Sequence, residues 1–166
     1  MPPPDKVLVS ASFLGRPVRY DGNAKTLHDS LLDRWTREGR IIPVCPELLA
    51  DLPTRRPPAE IAHEEGGAAV SRGTASIIEA GGEDVTATYV AGARAALELA
   101  VKEGCRVALL TDGSPSCGSS FIYDGSFTGR RHAGEGVAAA LLGEHGVQVF
   151  SPNQISDIAA LLDRDD

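Results

Sequence analysis

Two cysteines, Cys45 and Cys117, lie in polar, proline-rich surroundings that offer a thiol little apolar packing. Cys45 stands in Pro43-Val44-Cys45-Pro46-Glu47 and Cys117 in Ser114-Pro115-Ser116-Cys117-Gly118. Thiolates that face each other suit a soft metal, an iron-sulfur cluster or a redox pair, whereas the plain alternative is two small buried residues. Neither belongs to a C-x-x-C pair, so a zinc ribbon or a thioredoxin-type site has no local support. The third cysteine, Cys105, directly precedes an apolar run and reads as a core residue. His28, His63, His132 and His145 are scattered along the chain and read as surface positions.

The elements around these residues decide whether they can meet. Residues 6–11, 41–44, 106–110 and 147–150 are short apolar runs ended by Gly, Pro or Ser, which is how buried strands read. Between them, apolar residues recur at helical spacing over 25–38, 85–103, 134–144 and 154–162, with Asp84 as a cap before the second and Gly39 and Gly104 as stops. Residues 68–79 carry two strand-like pieces about Arg72-Gly73 and predict a hairpin, while 53–65, with three prolines and no period, predicts a loop.

Strand and helix alternate in the manner of a three-layer α/β/α sandwich with a mainly parallel, Rossmann-like or flavodoxin-like sheet, plus a small β-hairpin. In such a sheet ligands bind outside the carboxyl ends of the strands. Three loops at those ends, 12–22, 45–47 and 114–118, would bring together Cys45, Cys117, Glu47 and the hydroxyls of Ser12, Ser114 and Ser116. Tyr20-Asp21-Gly22 and Tyr123-Asp124-Gly125 lie at the far ends of the first and third loops. They are either two similar turns, or a pair of tyrosines framing a pocket for a flat ligand with Arg19 beside an anion. Gly113 and Gly118 could cradle a phosphate, but no Walker or G-x-G-x-x-G pattern accompanies them.

The 166 residues suffice for one domain, 1–166, with short tails at 1–5 and 163–166 expected to fray. A net charge of -7 opposes binding to nucleic acid or to an anionic membrane. No run suggests a membrane span or a signal peptide, so a cytoplasmic protein is expected.

Ser10-Ala11-Ser12-Phe13-Leu14-Gly15, Arg19-Tyr20-Asp21-Gly22, Pro43 to Glu47, Asp84-Val85-Thr86 with Gly92-Ala93, Ser114 to Gly118 and Ile122 to Gly125 together resemble the thiouracil desulfidase family, long known as a domain of unknown function. The likeness runs in order from about Val7 to Ser151. It implies a bacterial enzyme with a 4Fe-4S cluster held by three cysteines, one iron being left open to take sulfur from a thiolated uracil. Two family ligands fall on Cys45 and Cys117. The remaining one falls on Ser12, where the family carries cysteine, so a serine oxygen replaces a thiolate there or the cluster is impaired. The resemblance further makes Glu47 the general base for the attacking water and Ser114 a group that orients it or relays a proton. Arg19, Tyr20, Ser116 and Tyr123 would then face the substrate, a small thiolated pyrimidine or its monophosphate, with transfer RNA disfavoured by the charge. The competing classes are a non-catalytic nucleotide- or metal-binding module and a cysteine-based sulfur-transfer protein.

Overall fold

A computed structural model describes residues 5–17, 19–24 and 26–164. In chain order it contains β1 (Val7–Ser10), α1 (Ser30–Arg37), β2 (Ile41–Val44), α2 (Pro46–Leu49), β3 (Ala59–Ile61), α3 (Gly67–Ser71) and β4 (Ile77–Glu79). There follow α4 (Thr86–Glu103), β5 (Val107–Leu109), β6 (Phe121–Tyr123), β7 (Arg131–Ala133), α5 (Val137–Glu144), β8 (Gln148–Phe150) and α6 (Ile155–Arg164). Strands β2, β1, β5 and β8 form one parallel sheet in that order. The chain moves from β1 to β2 on one side and then back past β1 to β5, so the order reverses between β1 and β5, where open α/β sheets leave a crevice.

Alternation along the central strands builds the two outer layers. Val7, Val9, Val107 and Leu109 point to one face and pack with Leu32 and Trp35 of α1 and Ile155, Ile158 and Leu162 of α6. Leu8, Ala108 and Leu110 point to the other and meet Ala96 and Ala100 of α4 and Ala139 and Leu142 of α5. Burying each larger side chain of this kind stabilises the fold by roughly 1.5–3 kcal/mol. The expected three-layer α/β/α architecture is what the chain adopts.

The expected element bounds shift at their ends. The first helix begins at Ser30 because Asp29 Oδ1 accepts from Leu31 N at 2.8 Å, although Leu27 still packs against the same core. Lys25, the first residue of the expected helix, lies outside the described residues. Asp84 is not the cap of α4: Val85 holds that position and Asp84 stands one residue before it, its Oδ1 still accepting from Thr86 N at 2.9 Å, while Gly104 ends the helix at φ +70° as expected. The tail residues 1–4 and 165–166 also lie outside the described residues, while Asp5 is paired with Arg106 at 2.5 Å.

Residues 68–79 do not form a hairpin with each other. Their first part is α3, and β4 pairs antiparallel with β3, which comes from the segment expected to be loop. A strand of three residues is too short to show a period, and Gly67 lets the start of α3 approach α5 so closely that a Cβ would lie 2.1 Å from the Gly136 carbonyl oxygen. A second antiparallel pair, β6 and β7, went unread in the sequence for the same shortness. Among the described residues no helix is long and apolar enough to cross a membrane.

Cys105 is 5% exposed and belongs to the core beneath α4, as its sequence context implied. Burial, helped by the nearby Glu103 carboxylate, pushes its thiol up from 9.0 to about 11. The unfolded chain releases that proton from about pH 9, and the folded chain keeps it until about pH 11. This contribution is therefore fully present below pH 9 and is lost as pH rises through 11. In denaturant titrations of Cys105→Ala and parent between pH 8 and 11, the variant should lose stability less steeply, by on the order of 1.4 kcal/mol per pH unit. Equal slopes would contradict the assignment.

Candidate functional site

The crevice at the carboxyl ends of β1, β2 and β5 opens into a cavity of about 460 Å3. Each loop is locally shaped to present its group there. After β1 the chain turns through a single 3-10 turn, Ala11–Leu14, closed by Gly15 at φ +87°. That turn buries Ser12 to 4% exposure on the cavity wall. Among the described residues its hydroxyl makes no hydrogen bond to another protein group. Ser10, just before it, ties the two central strand ends together by accepting from Thr111 N at 3.0 Å.

After β2, Cys45 occupies the cap position of α2, with Pro46 at the first helical position and Glu47 in the first turn. This short helix lies flat on α4 because position 92 is glycine. A Cβ there would stand 2.3 Å from the Pro46 carbonyl oxygen. After β5, Ser114 Oγ accepts from Ser116 N and Cys117 N at 3.0 and 3.1 Å, curling the loop so that Cys117 turns inward. Gly136 again permits the approach, since a Cβ would lie 2.4 Å from the Ser116 carbonyl oxygen.

Glu47 joins the second and third loops. Its Oε2 accepts from Cys45 Sγ at 3.3 Å and its Oε1 from Ser114 Oγ at 3.4 Å. Arg56 completes the set, donating from Nη2 to Glu47 Oε2 at 3.2 Å, with the two side chains only 6% and 10% exposed. Burial pushes the Cys45 thiol up to about 12, with the Glu47 carboxylate adding to the effect. The wholly enclosed Cys117 is raised well above its ordinary value, again chiefly by burial and then by Glu47. Both thiols are therefore protonated near neutral pH in the chain alone, and a metal would have to displace their protons to bind.

Of the residues expected here, Ser12, Cys45, Glu47, Ser114, Cys117, Arg19, Tyr20 and Tyr123 all line the one cavity. Ser116 does not: it is fully buried behind the wall, its hydroxyl without a hydrogen-bond partner among the described residues. The expectation that Cys117 lacks apolar neighbours gives way as well, because it packs with Leu8, Val44 and Leu110. The turn reading of the repeated Tyr-Asp-Gly holds. Asp21 and Asp124 accept from the amides of Asn23 and Ser126 two residues on, as turn residues do, while both tyrosines reach the cavity. Gly113 and Gly118 serve packing, since a Cβ would meet the Tyr123 ring at 3.3 Å and the Ile122 side chain at 2.5 Å.

Tyr89 went unread as a site residue, and the Arg55-Arg56 pair reads in sequence as able to receive one phosphate but more simply as solvated. Arg56 is instead buried on Glu47, and its backbone N–H donates to Tyr20 O at 2.9 Å. Tyr89 comes from α4, and burial with the nearby Glu47 carboxylate raises its phenol to about 12. No linear signal marks either, since each acquires its role only when α2 lies against α4.

Three comparisons agree with this geometry. The sequence model of the 2-thiouracil desulfurase family matches residues 7–154. The uncharacterized protein YbbK of Bacillus subtilis (strain 168) is 41% identical over 152 residues, covering 92% of this chain and 99% of that protein. A solved structure of the 4Fe-4S-dependent thiouracil desulfidase TudS is 46% identical, covers 96% of this chain and 98% of its own, and superposes with a TM-score of 0.86. With its strand order, its cavity and its two thiols in place, the chain belongs to the 2-thiouracil desulfurase family.

Proposed function

We propose that the chain converts a thiolated uracil, as free base or monophosphate, to uracil or its monophosphate with release of sulfide and no net electron transfer. The observation that carries this reading is the convergence of Ser12, Cys45 and Cys117 on one cavity where Glu47 bonds both Cys45 and Ser114.

The residues fit a 4Fe-4S cluster at two positions with thiols and at a third with a hydroxyl. Among the described residues no group of three or more His, Cys, Asp and Glu side chains could hold a metal, and it is the family likeness that puts the third donor position on Ser12. Cys45, Cys117 and Ser12 would hold the cluster, and the oxygen, a harder and far less acidic donor than a thiol, weakens its retention. When bound, such a group supplies an open iron, a Lewis acid that draws electrons from the thiocarbonyl.

The chain does the rest. Glu47 accepts a proton from the water that attacks the ring carbon, and Arg56 holds its carboxylate in that posture. Ser114, bonded to Glu47, orients the water or passes the proton to the ring. The water oxygen replaces the sulfur on carbon, and the sulfur leaves as hydrogen sulfide. Tyr20 and Tyr123 frame the flat ring, and Arg19 at the cavity wall suits the phosphate of a monophosphate. A cavity of about 460 Å3 and a net charge of -7 suit a single nucleotide better than an RNA. The three free cysteines suit a reducing compartment such as the cytoplasm.

Anaerobic reconstitution with iron and sulfide followed by incubation with 2-thiouracil tests the reading. Sulfide and uracil should appear in equal amounts from brown, iron-loaded protein and from no iron-free sample. Iron-loaded protein that releases no sulfide would leave the binding module, and colourless, iron-free protein that releases it would leave the cysteine-based reading.

A further inference from the structure

Phe127 lies in the turn between β6 and β7, at φ +58°, a conformation that strains a bulky side chain. It is 38% exposed, packs into none of the three apolar clusters and lines the cavity. A strained, exposed phenylalanine would relax if its loop were free, yet this loop is pinned. Glu60 Oε1 on β3 accepts from Gly125 N at 2.9 Å and from Phe127 N itself at 3.2 Å. Asp124 O accepts from Glu64 N at 2.9 Å, and Asp124 N donates to Arg130 O at 2.9 Å. Gly125 fits against the Ile61 carbonyl oxygen where a Cβ would approach to 2.6 Å. The fold thus spends hydrogen bonds from a second sheet on holding one aromatic ring at the cavity.

The neighbouring Phe121 cannot offer the same surface. Its face carries the Arg131 guanidinium at 4.4 Å, and it meets the Tyr123 ring edge-on, with the two planes at 90°. From this we infer that Phe127 is a specificity-determining residue whose ring stacks on the planar pyrimidine of the ligand, an inference that rests on the desulfidase reading. Stacking acts on the ring and not on its sulfur, so Phe127 should discriminate planar rings from non-planar ones without distinguishing C=S from C=O.

The test measures binding of 2-thiouracil and of uracil to the full-length chain, by calorimetry and by the hypochromism of the thiouracil ultraviolet band. Phe127→Leu keeps most of the apolar area and removes the π face. It should weaken both rings alike, by about tenfold, and abolish the hypochromism, whereas Phe127→Trp should stay within about twofold of the parent. Phe127→Asn, which accepts the left-handed backbone, guards against misfolding: it should melt within about 3 °C of the parent and show the same loss for both rings. Unchanged ring affinity in Phe127→Leu or in folded Phe127→Asn overturns the inference and leaves the desulfidase reading standing. Loss confined to 2-thiouracil overturns it too, since Phe127 would then act on the sulfur. A parent chain that binds neither ring and releases no sulfide overturns both.

Discussion

Replacing Ser12 with cysteine is expected to raise the iron that the chain retains, on the proposed reading that position 12 is the third donor of a 4Fe-4S cluster. Ser12 is buried on the wall of the cavity that Cys45 and Cys117 also line. A thiol gives up its proton near pH 8.5 in solution, and a hydroxyl does so only several pH units higher, so cysteine offers iron an anionic soft donor that serine withholds at neutral pH. Anaerobically reconstituted Ser12→Cys should retain about four irons per chain through gel filtration, with stronger visible absorbance. It should also lose iron to a chelator at least about tenfold more slowly than the parent, because even outer partners of a metal ligand are worth that much. Sulfide release should rise in parallel with iron content. Ser12→Ala should hold no more iron than the parent. Equal iron retention in all three chains would mean that position 12 holds no ligand, and the site would have to be built on Cys45 and Cys117 alone.

Glu47→Gln is expected to abolish most sulfide release while leaving the iron in place. The amide cannot accept the proton from water, and loss of a general base costs about 100- to 10,000-fold in rate. The same change removes the negative partner of Arg56 from a pair that is almost entirely buried. Breaking such a pair should cost up to about 3 kcal/mol, a Tm lower by several degrees, with the Pro53 and Thr54 carbonyls still accepting from Arg56. Single-turnover sulfide release, iron content and a thermal melt on the same preparation separate the two effects. Full activity in a destabilised variant would assign Glu47 a purely structural place beneath Arg56.

These two predictions differ in how far the sequence alone reaches toward them. The four strands of the parallel sheet were legible as short apolar runs ended by Gly, Pro or Ser, and their helices because apolar residues recur with a period of 3.6 over enough residues to be counted. Val7, Leu8 and Val9 form such a run within β1, buried throughout, and Gly104 states the end of α4. That pattern already placed the loops of Ser12, Cys45 and Ser114 at the same edge, since parallel strands send all their following loops to one side. No comparable apolar run marks β3, β4, β6 and β7. The pairing of β3 with β4 and of β6 with β7 was therefore hidden, and with it the pinned loop that presents Phe127.

Arg56 shows the same limit at the level of one side chain. Among prolines and a second arginine it reads as solvated, and its burial on Glu47 depends on α2 lying close enough to α4 for position 92 to exclude any side chain. Ser116 shows the reverse, a polar residue of a site loop that the curl around Ser114 turns away from the cavity.

By itself, then, the amino-acid order determined the alternation of strand and helix, the edge at which chemistry could gather, and the donor types available there, two thiols and a hydroxyl. Those are local properties, written in spacing and side-chain type. The tertiary structure decided which atoms meet: Glu47 between Cys45, Ser114 and Arg56, and Phe127 held out at the rim by Glu60. Contacts between residues separated by 67 positions, such as Ser114 with Glu47 and Phe127 with Glu60, depend on strand order and on glycines that let backbones touch, and neither has a signature in a short window of sequence.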